Sequence, residues 1–170
     1  DLQIADLVVR EGRALVIGVN KWDLVADKQE LRKEIEIEVE RLLPQVRGIA
    51  LVPVSAMTGK GLEPLMKAVF AAAETWNTRV PTAALNRWLA DAVASHPPPA
   101  VSGRRIRLRY MTQAKARPPT FIAFSQRAGA LPDSYLRYMI NGLRVAFGLW
   151  GTPIRIHLRK GDNPYAERKR

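Results

Sequence analysis

Asn20-Lys21-Trp22-Asp23 is the stretch whose residue types and spacing could do chemistry, and it closes the apolar run Ala14-Leu15-Val16-Ile17-Gly18-Val19. The Asp23 carboxylate can accept two hydrogen bonds from adjacent N–H groups, which suits the edge of a heterocycle. The Lys21 stem can lie over a ring, and the Asn20 carboxamide can tie neighbouring loops together. A second polar loop, Ser55-Ala56-Met57-Thr58-Gly59-Lys60-Gly61-Leu62, follows a second apolar run, Ile49-Ala50-Leu51-Val52-Pro53-Val54. The bland alternative for the tetrad is a strand-to-loop exit carrying a solvated charge pair.

Both loops need strands and helices to hold them. An apolar run bounded by polar residues reads as a buried strand of a parallel sheet, and open α/β sheets bind ligands at the carboxyl ends of such strands. Residues 1–13 read as an amphipathic helix with Leu2, Ala5, Leu7 and Val8 on its apolar side and Gly12 at its C-cap. Residues 29–43 carry Leu31, Ile35, Val39 and Leu42 at helical spacing, ended by Pro44. Leu62-Glu63-Pro64-Leu65 opens a third helix with Leu65, Val69 and Ala72 on one side. Helix, strand, helix, strand, helix is the rear half of a doubly wound sheet.

Composition limits what else the chain can do. It has no cysteine, so disulfides and thiolate metal sites are excluded, and no other metal-ligand spacing is visible. No apolar run approaches the ~20 residues of a membrane span, and a cytoplasmic location is expected. Charge is divided unevenly. Residues 1–80 hold 11 Lys and Arg against 12 Asp and Glu, whereas residues 81–170 hold 16 against 4, so nearly all of the net +11 lies in the second half. Such asymmetry points to a polyanionic partner for that half.

The second half follows a linker, Asn77-Thr78-Arg79-Val80-Pro81. From Thr82, read as an N-cap, Leu85, Leu89, Ala92 and Val93 mark a helix. Beyond His96-Pro97-Pro98-Pro99, residues 104–111 alternate, with Ile106, Leu108 and Tyr110 to one side and Arg105, Arg107 and Arg109 to the other. A turn over residues 113–119 leads to a strand at 120–125. A helix begins at Pro132 with Leu136, Met139, Ile140, Leu143 and Phe147 inward. Residues 153–160 then alternate again, with Arg155, His157 and Arg159 outward. The order α-β-β-α-β gives an α+β sandwich. Gly129 and Gly142 stand isolated, so a Gly-x-x-Gly loop gripping a nucleic-acid backbone is not expected. Arg168-Lys169-Arg170 close a basic tail expected to be mobile.

The ordered pair Asn-Lys-x-Asp and Ser-Ala-Met resembles the guanine-specificity loops of translation-factor-type GTPases. Thr82-Ala83-Ala84-Leu85-Asn86, Tyr110-Met111-Thr112-Gln113, Pro118-Pro119-Thr120-Phe121, Tyr135-Leu136 and Gly151-Thr152-Pro153-Ile154 extend the resemblance. The whole chain is similar to the C-terminal part of the Der (EngA) family of bacterial GTPases. That resemblance implies a partial P-loop GTPase domain over residues 1–78 followed by a small KH-like domain over residues 79–170. It makes Asn20, Lys21, Asp23, Ser55, Ala56 and Met57 the guanine-binding set. Asp23 would pair with the base N1 and N2 groups, Lys21 would cover the ring, Asn20 would brace the phosphate loop, and N–H groups around Ala56 would meet O6.

The resemblance further implies GTP/GDP with Mg²⁺ in the intact protein, and a role in maturation of the large (50S) ribosomal subunit. The expected protein is monomeric and ribosome-associated. Arg105, Arg107, Arg109, Arg155 and Arg159 become candidates for contact with rRNA or with an upstream G domain of the same protein. No Gly-x-x-x-x-Gly-Lys-[Ser/Thr] string occurs in the sequence, so a longer protein is expected. This chain alone has no catalytic residue, should not hydrolyse GTP and need hold no nucleotide. The competing reading is a non-catalytic RNA-binding module with a degenerate nucleotide-binding half.

Overall fold

The computed structural model describes residues 2–101, 104–125 and 131–161; the side chains of Leu2 and Arg105, Gly129 and the basic tail at 168–170 lie outside what it describes. The chain divides into two compact units, Asp1–Asn77 with Leu149–Pro153, and Thr78–Gly148 with Ile154–Arg170.

In the first unit, helix α1 (Leu2–Arg10) precedes strand β1 (Val16–Val19), a 3₁₀ turn (Trp22–Leu24), helix α2 (Lys28–Leu42), strand β2 (Ala50–Pro53) and helix α3 (Leu62–Trp76). β1 and β2 pair in parallel, with Val16 opposite Ala50 and Val19 opposite Pro53. Four-residue apolar strands suit this position, because a parallel pair is covered on both faces. On one face Ala5, Val39 and Leu43 form a core against Leu15, Ile17, Ile35 and Leu51. On the other, Leu65 of α3 packs over Gly18.

Helix α1 is shorter than periodicity suggested, and the helices are differently turned. Leu7 of α1 is 60% exposed while Val9 is buried, and the α2 stripe ends on Leu43 rather than Leu42. On α3, Leu65 is half-buried and Val69 is exposed. Asp27 caps α2, its carboxylate accepting from the N–H groups of Gln29 and Glu30 at 3.1 and 2.9 Å. That cap sets where α2 starts and so the length of the loop carrying the tetrad.

The second unit runs α4 (Thr82–Ser95), β3 (Ala100–Val101), β4 (Arg104–Arg105), β5 (Leu108–Lys115), β6 (Thr120–Ser125), α5 (Asp133–Phe147) and β7 (Arg155–Lys160). β5 and β6 are antiparallel, β6 and β7 parallel, in the order β5-β6-β7. Leu85, Met111, Phe121, Met139 and Leu143 are fully buried and fill the helix side of the sheet. Full burial of such side chains stabilises by about 1.5–3 kcal/mol each.

Three sequence expectations change here. Pro81, not Thr82, occupies the N-cap of α4, and no side chain caps it. The single strand read over 104–111 is two pieces: β4 pairs with β3, residues 106–107 lie outside any strand, and β5 continues to Lys115. The alternation also breaks. Leu108 pairs with Ser125 but Tyr110 with Phe124, so a register shift at Arg109 puts Leu108 and Tyr110 on opposite faces.

Two carboxamides hold the edge of β5. Asn86 donates to the Met111 carbonyl at 2.8 Å and accepts from the Met111 N–H at 2.9 Å, standing in for a neighbouring strand. Gln113 accepts from the Val80 N–H at 2.7 Å and donates to the Thr78 carbonyl at 2.9 Å, fixing the chain that leads into α4.

Candidate functional site

The tetrad leaves β1 where an apolar strand gives way to polar residues. Asn20 Oδ1 accepts from the N–H of Lys21 at 2.8 Å and from that of Ala56 at 3.0 Å. Trp22 donates its N–H to the Val54 carbonyl at 3.1 Å, and Val54 donates to that of Val19 at 2.9 Å. The two loops therefore meet at one rim of the parallel pair. Lys21 sits at φ 61°, ψ 30°, a left-handed conformation costing a non-glycine residue about 1–2 kcal/mol. Such strain persists where the surroundings dictate it.

The second loop is built around Ser55, which is 1% exposed. Its N–H donates to the Lys60 carbonyl, its carbonyl accepts from Gly59, each at 2.9 Å, and its Oγ accepts from the Thr58 N–H at 3.3 Å. Gly61 closes the loop at φ 83°, and a Cβ there would run into the Pro53 carbonyl oxygen. Only glycine lets the loop return this tightly to β2.

The Ser55 hydroxyl beside it holds the Asp23 carboxyl below the ordinary 3.8, helped by an N–H of its own backbone and by Lys28 and opposed by desolvation. The carboxylate thus stays charged and aimed by a residue of the other loop. Met57 is 90% exposed, its side chain unengaged with the core. Trp22 lines a small recess with Val19, Arg32, Ile35, Leu51 and Pro53. Its role is packing.

Comparison with known proteins decides what this pair of loops belongs to. Residues 79–159 match the KH-domain-like family described from the C-terminal part of EngA bacterial GTPase enzymes. A GTPase Der of Mesorhizobium japonicum is 59% identical over 168 residues, covering 99% of this chain. Those of Parvibaculum lavamentivorans and Nitrobacter hamburgensis are 55% and 57% identical over its whole length. The chain belongs to the Der (EngA) family. It spans 35–37% of the length of these relatives.

The KH-like half of this Der-family chain carries the arginines. Arg155 and Arg159 lie exposed on β7, two repeats of the pleat apart on the face away from the helices. Arg107 is exposed in the link before β5, and Arg109 is exposed at the register shift. Arg105 lies in β4. The described positions do not form one strand face: Arg107 lies outside any strand, and the shift at Arg109 interrupts the alternation on which that grouping rested.

Gly148-Leu149-Trp150-Gly151 does have Gly-x-x-Gly spacing, contrary to the sequence reading. It follows α5, whose C-cap Gly148 is left-handed at φ 64°. Leu149 is fully buried, and the Gly151 N–H donates to the Arg47 carbonyl at 2.8 Å. The backbone that would clamp a phosphate is already engaged. Sequence reasoning also passed over Ile122 and Phe124, partly exposed on the same sheet face as Arg155 and Arg159. The signal that could have found them is the alternation of Thr120–Ser125.

Proposed function

We propose that the two loops recognise the guanine of GTP or GDP in a longer GTP-hydrolysing protein that acts in maturation of the large ribosomal subunit. The observation that carries this is the Asn20 bridge to Ala56, which puts the Asp23 carboxylate and a backbone N–H at one rim. Asp23 supplies two acceptors for the base N1–H and N2 groups. Guanine O6 takes over the Ala56 N–H from Asn20, whose carboxamide then turns to brace the neighbouring phosphate loop. Lys21 covers the ring and Met57 lines its open side. An adenine would leave Asp23 without its donors, at a cost of about 1–3 kcal/mol per unpaired group and more for a charge.

The name GTPase Der carried by the relatives supports hydrolysis in the intact protein, with Mg²⁺ and the phosphates held by elements absent from this sequence. This chain contributes base recognition, and its strongly basic KH-like half contributes contacts to rRNA phosphates. Inosine diphosphate tests the base-reading step, because it lacks only the N2 amine. The intact protein should bind it about 10-fold or more weaker than GDP. Equal affinities would remove Asp23 from base recognition.

A further inference from the structure

The outer face of the β5-β6-β7 sheet combines two chemistries in register. Along β6, Thr120, Ile122 and Phe124 point away from the helices, and their neighbours on β7 are Arg155, His157 and Arg159. Ile122 and Phe124 are partly exposed, whereas Phe121 and Ala123, which alternate with them, are fully buried. A solvated sheet face would carry polar side chains at the centre of its middle strand. Here the centre is an aliphatic group and a ring. Tyr110 flanks that ring, with centroids 5.9 Å apart. At the far end, Gly161 leaves the ring edge uncrowded; a Cβ there would stand 3.4 Å from Phe124 Cδ1.

We propose that this face takes single-stranded RNA, with a base stacked on Phe124 and the phosphates following the row Arg155, His157, Arg159. The proposal rests on the reading of the second unit as an rRNA-contacting module and adds to it the strand state and the stacking residue. Alternate residues of β7 repeat at about 6.6 Å, which suits successive phosphates of an extended strand. A cation one strand spacing from an apolar platform lets the same nucleotide use its base and its phosphate. In a duplex the base faces are already stacked, so the ring would find no partner. None of the positions that the register places on this face is acidic, and the half-chain carries 16 basic residues against 4 acidic ones, which favours a polyanion over a neutral protein surface.

The test measures anisotropy of the intact protein with a labelled oligouridylate of about 12 nucleotides and with an RNA duplex of the same length. Phe124→Leu should weaken the oligouridylate about 5- to 100-fold and leave the duplex unchanged, while Phe124→Tyr should retain binding. Replacing Arg155 and Arg159 by Gln should weaken the oligouridylate and lower its salt slope by about 1.4. If the arginine variants act and Phe124→Leu does not, stacking is overturned and phosphate contact stands. If no variant changes binding of either RNA, the face is not an RNA surface and both readings fail there. If the variants instead weaken only binding of a separately supplied G domain, the face is a protein-docking surface and the proposal is overturned.

Discussion

The carboxamide oxygen of Asn20 lies 3.0 Å from the backbone nitrogen of Ala56, thirty-six residues further along the chain. One side chain at the end of β1 thereby fixes the loop that follows β2. In the other direction, the Ser55 hydroxyl is the main cause of the lowered pKa of Asp23. The two loops are thus tied by Asn20 and coupled electrostatically through Ser55 and Asp23.

Removing the hydroxyl should expose this mutual dependence. In Ser55→Ala the Asp23 carboxyl loses the largest cause of its depressed pKa and should titrate closer to 3.8. Because the folded pKa of Asp23 is lowered, its contribution to stability is present above the unfolded value and lost as pH falls through the folded one. The variant should therefore lose the charged form at higher pH than the parent. Carboxyl ¹³C NMR of Asp23 across an acid titration checks this, and an unmoved titration would contradict it.

Asn86→Ala should destabilise the second unit by about 2 kcal/mol, since it leaves the edge N–H and C=O of Met111 without their partner. Urea unfolding should show a lower midpoint with unchanged slope. A loss below a few tenths of a kcal/mol would mean that water replaces the carboxamide at that edge.

Charge reversal at Arg107 and Arg109 should weaken association of the intact protein with the large ribosomal subunit and flatten its salt dependence by about 1 for each phosphate that is no longer neutralised. Co-sedimentation across a salt titration reads both. Binding that is unchanged at every salt concentration would assign these residues to solvent or to an interface within the protein.

The first unit was legible because its signals are local and redundant. Apolar runs bounded by polar loops mark β1 and β2, and helical spacing marks α1, α2 and α3 to within a few residues. The tetrad and the Ser55 loop fall at strand ends for the same reason. Face assignments were less secure wherever one residue decides the turn. Leu7 and Val9 exchange roles on α1, since a short helix with apolar residues on two sides takes its orientation from tertiary packing.

Register irregularity is harder still. Nothing in Arg104–Met111 announces that Arg109 sits at a shift, because strict alternation is also the pattern of an unbroken strand. The role of Asn86 was hidden too, as a helix residue twenty-five positions from the backbone it satisfies. Gly148 and Gly151 show the reverse case: the spacing is plain in the sequence, but burial of Leu149 and the engaged Gly151 N–H decide what it does.

The most direct measurement is the affinity of the intact protein carrying Asp23→Asn for GTP and for xanthosine triphosphate. An amide cannot accept from both base N–H groups but can donate to the xanthine carbonyl that replaces the amine. Paired loops reading a guanine edge require GTP binding to fall by about 100-fold or more while xanthosine triphosphate binds as well or better. An equal fall for both nucleotides would show that Asp23 does not read the base.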